Sequence, residues 1–405
     1  MKIDIFKTLT FFYILENIFN SDVYGINSSI GTFFNLALNL LIVGLGLFSL
    51  IRLKSNFIVK SLSIFLLISF LSTVFNQVNL LNFIEFILRY GKIYFLISIG
   101  LYFGKNTSLH SIFSTFTFIN FFNFLANSIF YFEISLIKNK YLGTLDFATG
   151  IMGDALYQCL FSFSVFFISL LFLNKKFSFN RGLVFFNIIT SIIQIFWSFS
   201  YHFYVVIIIA TIITLFLIDQ LSLFKKIIVS SFFVMITAFF INSSEFFTNS
   251  FITLASTSPK IASYRDTFNG EYHNFYQEFI GIGPGNGGSY ISLENKSFIA
   301  ENYFSIYNYF TDKLRRGSIT TLPNTGIITF KSELGYFGLI NFIIFLFLLY
   351  NKLNKKISIL NQPLIQLSKI LIIIFLLENI FADYLQHSLF PLLTFLLAGI
   401  SLEKK

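Results

Sequence analysis

The sequence predicts an all-helical, polytopic integral membrane protein of about twelve transmembrane helices, with one long, partly helical loop on the outside. Three observations support this fold class. The mean hydropathy is +0.76. Hydrophobic residues make up 55% of the chain and charged residues only 12%, against roughly 25% charged residues in soluble domains. Apolar runs of membrane-spanning length recur, and basic residues cluster on alternate connections.

The predicted spans follow from the length of helix that a bilayer requires. The hydrocarbon core needs roughly 20 apolar residues, with a usual range of about 17–25. Suitable runs lie at 5–20, 31–51, 57–75, 81–103, 110–131, 153–173, 182–199, 202–218, 227–242, 325–350, 368–383 and 388–401. The first run could be mistaken for a signal peptide. Because Glu16 and Asn17 interrupt it and no small-residue cleavage site follows, we expect it to be a helix.

The distribution of Lys and Arg sets the predicted orientation. With the N-terminus inside, every short connection predicted to be cytoplasmic carries Lys or Arg. The short outer connections other than 132–152 carry none. This is the distribution that the positive-inside rule describes. Both termini are therefore predicted to be cytoplasmic, and the net charge of +9 reflects topology rather than binding to nucleic acid.

The chain is predicted to have three parts. Residues 1–242 hold the first nine spans, residues 243–324 form the long outer loop, and residues 325–405 hold the last three spans. Loops longer than about 12–15 residues in compact proteins are usually functional or disordered. The aromatic residues interleaved in this loop predict a partly helical cap rather than a disordered tether.

Disulfides, metals and cofactors are not predicted. Cys159 is the one cysteine, which excludes an intramolecular disulfide framework and a cysteine-built zinc site. No two of the four histidines have the spacing of metal ligands. The sequence therefore gives no indication of a metal centre.

The fourth predicted span carries three ionisable residues. Glu85, Arg89 and Lys92 are spaced by four and three residues, which places them on one face of a single helix. In the structural interpretation, Glu85 and Arg89 pair to fix helix packing while Lys92 reaches the interface. In the functional interpretation, the face lines a cavity open to the outside and binds an anion. Two cations for one acid favour the second interpretation, and Glu378 in the eleventh span lies near the same outer level.

The outer loop holds the densest group of polar residues. It contains Tyr264-Arg265-Asp266, then His273-Asn274, then the run GIGPGNGG from Gly281 to Gly288. Glycines allow positive φ, so the N–H groups around Gly281, Gly283 and Gly285 can point inward as an anion-binding nest. A plain turn is the commoner explanation of such a run, but Arg265 upstream supports phosphate binding. Arg315 and Arg316 offer a second cationic site, or a solvated pair.

These motifs resemble a known family. In the long loop, Arg265 precedes Gly281-Ile282-Gly283, and the helix after the loop opens LPNTGIITFKSELGYFGLINFI, with Gly335-x-x-Gly338 at its head. This arrangement resembles the Wzy-type O-antigen polymerases and the related O-antigen ligases. The resemblance covers the topology of the whole chain and local motifs over roughly 260–345.

The resemblance implies a metal-independent glycosyltransferase of the bacterial inner membrane that acts at the periplasmic face. Its substrates would be oligosaccharide repeat units linked to undecaprenyl pyrophosphate, and whether a chain-length regulator binds is left open. Arg265 and Arg89 would hold the pyrophosphate, and His273 is one candidate for the base. Expected substrate-binding residues are Lys92, Tyr264, Gly281, Gly283, Gly285, Arg315, Arg316, Asn324 and Glu378.

One departure separates the two branches of this family. The ligases typically carry His-Asn eleven residues before the Gly-x-x-Gly, where this chain has Asn324-Thr325. The missing histidine favours a polymerase over a ligase. A flippase of lipid-linked sugars would share the helix count and the cationic cavity. However, the sequence shows no matching halves of the kind common in transporters.

Overall fold

The structure is a computed structural model that describes most of the helical part of the chain and selected parts of the long loop. The described residues are 4–20, 28–53, 56–132, 150–152, 155–173, 179–198, 201–216, 264, 267–268, 274–287, 289, 291, 325–356, 362–381 and 389–403. All of the secondary structure among them is helical.

Helices occupy the position of every predicted span except 227–242, which lies outside the described residues. In chain order they are α1 (Ile5–Asn20), α2 (Ser28–Leu53), α3 (Asn56–Phe75), α4 (Leu80–Tyr90), α5 (Lys92–Phe103), α6 (Leu109–Phe132), α7 (Ala155–Phe172), α8 (Arg181–Ser198), α9 (Tyr201–Phe216), α10 (Phe275–Ile280), α11 (Gly326–Lys355), α12 (Gln362–Phe381) and α13 (Leu389–Glu403). A π-helical turn, Leu392–Leu396, lies inside α13.

Several of these helices have the length and apolarity of membrane spans. Among the described residues, six qualify singly, and the bent pair α4 and α5 would make a seventh. Helices α7, α9 and α13 are apolar but shorter. The chain is therefore a multi-pass membrane protein, while the count of twelve spans stays a prediction. Outward-facing apolar side chains such as Ile51 and Phe347 suit contact with lipid tails.

The centre of the bundle is the packing of α5 on α13. Side chains of α5 from Lys92 to Gly100 are all buried. Gly100 lies against α13 so closely that a Cβ there would be 2.5 Å from the carbonyl oxygen of Leu396. Gly399 faces it from α13. Small residues allow helix backbones in membranes to approach closely, and this contact fixes the direction of α5.

A network of buried amides joins α6, α7 and α8. Asn123 donates to Gln158 at 2.6 Å and to Gln194 at 2.7 Å, and Gln194 donates to Asn120 at 2.7 Å. Asn120 donates in turn to Thr190 at 2.7 Å. Polar side chains inside a membrane bundle commonly hold helices together in this way, so the network accounts for these residues without a ligand.

The prediction of a single helix across the fourth span was wrong. Helices α4 and α5 meet at Gly91 with a bend of 44°. Glycine has a low helix propensity, and a Cβ at Gly91 would lie 2.5 Å from the carbonyl oxygen of Ile87. Arg89 and Lys92 consequently lie on different helices, on either side of the bend.

A second break interrupts α11. Gly335 has φ 66° and ψ −166°, far from helical values, in a region open almost only to glycine. The break divides α11 into a first half, 326–334, and a longer second half, 336–355. Its position matters because the described part of the long loop packs against it.

Candidate functional site

The predicted Glu85–Arg89 pair forms on α4. A terminal nitrogen of Arg89 bonds a carboxylate oxygen of Glu85. Their side chains are 28% and 32% exposed, so the pair lies at the edge of the buried face of α4. A carboxylate in this position holds the guanidinium in one orientation.

Lys92 is buried at the start of α5 and interacts with an acid that was not counted among the charges of the fourth span. Its charge acts on the carboxylate of Glu16 in α1, and Asn35 of α2 donates a hydrogen bond to the same carboxylate. Asn39 donates to Asn35 at 2.7 Å. Adding Glu16 brings the acids named here among the described residues to two, against the two cations Arg89 and Lys92, so the charge imbalance that favoured anion binding is reduced.

The glycine run docks on the turn between α3 and α4. Asn76 donates to the carbonyl of Gly281 at 3.0 Å, and Gln277 of α10 donates to the side-chain oxygen of Asn76 at 2.6 Å. Gly285 lies over Asn82 of α4, where a Cβ would be 2.9 Å from the amide nitrogen. Asn82 lies about one helical turn before Glu85, so the loop contacts α4 within one turn of the acid that pairs with Arg89.

The same loop supplies the hydrogen bonds that the break in α11 leaves open. The N–H of Ile282 donates to the carbonyl of Ser332 at 2.9 Å, and the N–H of Gly283 donates to the carbonyl of Glu333 at 3.2 Å. The Ser72 hydroxyl of α3 donates to the Glu333 carbonyl at 2.9 Å. Backbone groups at membrane depth need such partners because lipid supplies none. Loop, α3 and α11 therefore form one hydrogen-bonded unit.

The side chain of Glu333 occupies the centre of the glycine run. Its carboxylate accepts from the N–H of Gly285 at 2.8 Å, of Ser289 at 2.9 Å and of Gly287 at 3.3 Å. Glu333 is fully buried. The glycine run thus folds into an anion-binding nest, and the anion in it belongs to the chain itself.

This arrangement bears on the glycines predicted to bind substrate. The N–H of Gly281 donates to the Gln277 carbonyl at 2.7 Å, so the N–H groups of Gly281, Gly283 and Gly285 all have protein acceptors. Positive φ values of 80°, 101° and 78° at these three glycines match the predicted backbone. Their role in substrate binding stays a prediction, and a phosphate at these N–H groups would have to displace the carbonyls of Gln277 and Glu333 and the Glu333 carboxylate.

Tyr264 ties the long loop to the ends of α11 and α12. Its hydroxyl donates to the carbonyl of Ile380 at 2.7 Å and lies 3.0 Å from the hydroxyl oxygen of Thr325. Thr325 also caps α11 by accepting from the N–H of Ile328. Burial raises the pKa of the Tyr264 hydroxyl, which keeps it protonated and able to donate.

Glu378 lies in α12 beside this junction. It is fully buried, as is Asn379, the next residue. Gly326 lies directly against the Asn379 amide, because a Cβ there would overlap the amide oxygen. Tyr264 and Glu378 thus lie near the start of α11. Glu333 lies on the same helix, about 10 Å further along its axis than Gly326.

Removing the Tyr264 hydroxyl tests this junction. Tyr264→Phe is expected to lower the free energy of unfolding by about 1 kcal/mol, because it removes the bond to Ile380 and leaves a helix-end carbonyl without its partner. The measurement is the thermal midpoint in detergent. Tyr276→Phe is the matched control, because Tyr276 is exposed and its ring contacts Phe75. An equal shift in both variants would contradict the assigned contact.

Five of the predicted site residues lie outside the described residues: Arg265, His273, Arg315, Arg316 and Asn324. Arg265 directly follows Tyr264 in the chain. Within the described ranges, no group of three or more His, Cys, Asp or Glu side chains could hold a metal ion.

No known protein-family model matches the chain, and no curated protein matches it. The resemblance to the O-antigen polymerases therefore rests on the motifs quoted above, and the function that it implies is a proposal.

Sequence reasoning missed two charged residues of the site, Glu333 and Lys331. The Lys331 ammonium donates to the carbonyl of Glu278 at 3.3 Å and lies 4.0 Å from the centre of the Tyr336 ring. A signal was present, because both are ionisable residues within a predicted span and Gly335 follows closely. Their partners are far away in sequence and could not be inferred from spacing.

Proposed function

We propose that the chain is an O-antigen polymerase, a glycosyltransferase that joins oligosaccharide repeat units linked to undecaprenyl pyrophosphate. The reaction takes place at the periplasmic face of the bacterial inner membrane, and both termini of the chain are cytoplasmic. This orientation rests on the distribution of Lys and Arg.

The observation that carries the proposal is the docking of the long loop on the helix ends that bear the charged groups. The run from Gly281 contacts Asn82 of α4, about one turn before Glu85. Tyr264 bonds the carbonyl of Ile380, two residues after the buried Glu378. A lipid-linked glycan has its pyrophosphate at the membrane surface and its sugars beyond it. A site shared by spans and an outer loop suits both parts of such a substrate.

In the proposed reaction, a hydroxyl of the acceptor sugar attacks the anomeric carbon of the donor glycan. The bond from that carbon to the pyrophosphate oxygen breaks, a glycosidic bond forms, and the hydroxyl proton passes to a base. Arg89 and Arg265 stabilise the negative charge that develops on the leaving pyrophosphate. His273 is a candidate for the base. Glu85 orients Arg89 through their ion pair.

Loss of either arginine is expected to abolish long polysaccharide. Arg89→Ala and Arg265→Ala remove the charges that stabilise the leaving group, which is expected to lower the rate by about 10²–10³-fold. The assay is complementation of a polymerase-null strain, with the lipopolysaccharide ladder viewed on a gel and the membrane level of each variant measured by blot. Arg52→Ala is the control, because Arg52 ends α2 over the Phe48 ring, away from the loop.

Normal ladders from both arginine variants would overturn the pyrophosphate assignment. A null strain of the native host separates the related functions. A single repeat unit on the lipid A core indicates a polymerase. Unsubstituted core with lipid-linked glycan accumulating outside indicates a ligase.

A flippase of lipid-linked oligosaccharides is the second candidate, and the two helix breaks favour it. Transporters often bind substrate where helices are discontinuous, and both α4–α5 and α11 are interrupted, at Gly91 and Gly335. The rings of Tyr90 and Phe330, close to these breaks, are 5.8 Å apart. Lipid-linked units trapped inside the null strain would favour the flippase.

A further inference from the structure

A groove of about 550 Å³ runs between the first halves of α6 and α8, away from the site described above. This volume is within the usual range of small-molecule sites, about 300–1,000 Å³. Its walls are mainly aromatic and apolar, and they include Phe113, Phe121, Phe179 and Leu183. The ring centres of Phe113 and Phe179 are 4.7 Å apart and form part of a packed wall.

The groove faces the membrane. Both α6 and α8 are long and apolar enough to span a bilayer. Phe118 and Phe121 line the groove and are 62% and 43% exposed. A site bounded by two membrane spans with outward-facing phenylalanines is in contact with lipid tails rather than water.

The length of the groove matches one leaflet. Along α6 it extends from His110 to Phe121, which is about 16 Å at the rise of an α-helix. Half of the hydrocarbon core is about 15 Å. A single acyl chain of one leaflet therefore fits along it, whereas a long polyprenyl chain would extend well beyond its end.

One end of the groove is polar and basic. His110 lies there with its ring stacked on Phe179, at 5.6 Å between ring centres and 5° between planes. Asn180 lines the same end and caps α8, its side chain accepting from the N–H of Gly182 at 2.9 Å. Arg181 follows with an exposed side chain. Arg181 is thus a cation next to Asn180 in the chain, at the end of the groove where α8 begins and lipid headgroups are expected.

We propose that this groove binds an anionic phospholipid, with one acyl chain along α6 and the headgroup phosphate at Arg181. A guanidinium binds phosphate through two parallel hydrogen bonds, and the basic end complements the negative headgroup. The proposal does not depend on the activity of the chain, because no residue of the groove belongs to the site at α4, α11 and α12.

The test is native mass spectrometry of the full chain released from nanodiscs that contain equal amounts of phosphatidylglycerol and phosphatidylcholine. The wild-type chain is expected to retain phosphatidylglycerol in preference. Arg181→Ala is expected to reduce that retention about fivefold, the effect of one basic residue at an anionic membrane surface. Ser114→Trp, which fills the groove from α6, is expected to reduce retention of both lipids.

Arg52→Ala is the matched control, because Arg52 is an exposed arginine that ends another helix, and it is expected to retain lipid as the wild type does. Equal retention of the two lipids by the wild-type chain would overturn the proposal. So would unchanged retention in Arg181→Ala, a measurement that stands even if Ser114→Trp fails to fold. A lipid-free dimer in the same spectra would instead assign the groove to a second copy of the chain.

Discussion

Glu333→Ala is expected to lower the free energy of unfolding by at least about 3 kcal/mol, because three buried N–H groups lose their acceptor at about 1–3 kcal/mol each. Those groups belong to Gly285, Gly287 and Ser289, and the carboxylate between them is fully buried. A water molecule could replace the carboxylate only in part, since the nest is closed over by α11. The variant is therefore expected to loosen the glycine run as well as destabilise the chain.

Cys159 provides the measurement. It is the one cysteine of the chain and is fully buried, so labelling with a thiol-reactive fluorophore during heating reports unfolding. Glu333→Ala should shift the labelling midpoint strongly, whereas Glu333→Gln, which keeps one acceptor oxygen, should shift it less. Glu403→Ala at the end of α13 is the control. A midpoint for Glu333→Ala equal to that of the control would refute the role assigned to the carboxylate.

Gly335→Ala is expected to be similarly disruptive. Its backbone conformation, φ 66° and ψ −166°, is strained for any residue with a Cβ. The added carbon would also lie 2.5 Å from the backbone nitrogen of Ile280 and still closer to the Phe279 carbonyl. Together these effects are expected to destabilise the chain by at least about 3 kcal/mol. The break in α11 then either straightens or pushes α10 away.

Gly44→Ala is the matched control for this substitution. Gly44 lies in α2, and a Cβ there would meet no heavy atom within 4 Å. Alanine in place of glycine inside a helix is expected to stabilise it by roughly 0.5–1 kcal/mol. The two variants should therefore shift the Cys159 labelling midpoint in opposite directions. Shifts of the same sign and size would contradict the backbone strain and the steric overlap assigned to a side chain at position 335.

The positions of the described helices could be predicted from sequence because they depend on a local property, the apolarity of about 20 consecutive residues. The breaks at Gly91 and Gly335 could not, because an average over a whole span conceals a single glycine that interrupts it. The residues whose hydrogen bonds stabilise the break in α11 are also far away from it in sequence. Ser72 and the run from Gly281 complete the hydrogen bonding around Glu333, and no local pattern links them.

In the candidate site, too, local properties could be predicted from sequence and contacts between distant residues could not. Glycine content correctly predicted positive φ at Gly281, Gly283 and Gly285, because this is an intrinsic property of the residue. The internal anion was missed because Glu333 is 44 to 48 residues away in sequence from the N–H groups of Ser289 and Gly285 that it binds. The charge balance around Lys92 was misjudged for a similar reason, since its acid, Glu16, belongs to a helix far away in sequence.

The break in α11 also has a consequence for biogenesis. The carbonyls of Ser332 and Glu333 accept from Ser72 and from Ile282 and Gly283, and all three donors precede α11 in the chain. During synthesis, these partners leave the ribosome before α11 does. When α11 enters the bilayer, the donors that bond its interrupted carbonyls have therefore already been synthesised. An isolated α11 segment would lack them, so this span depends for stable insertion on the half of the protein made before it.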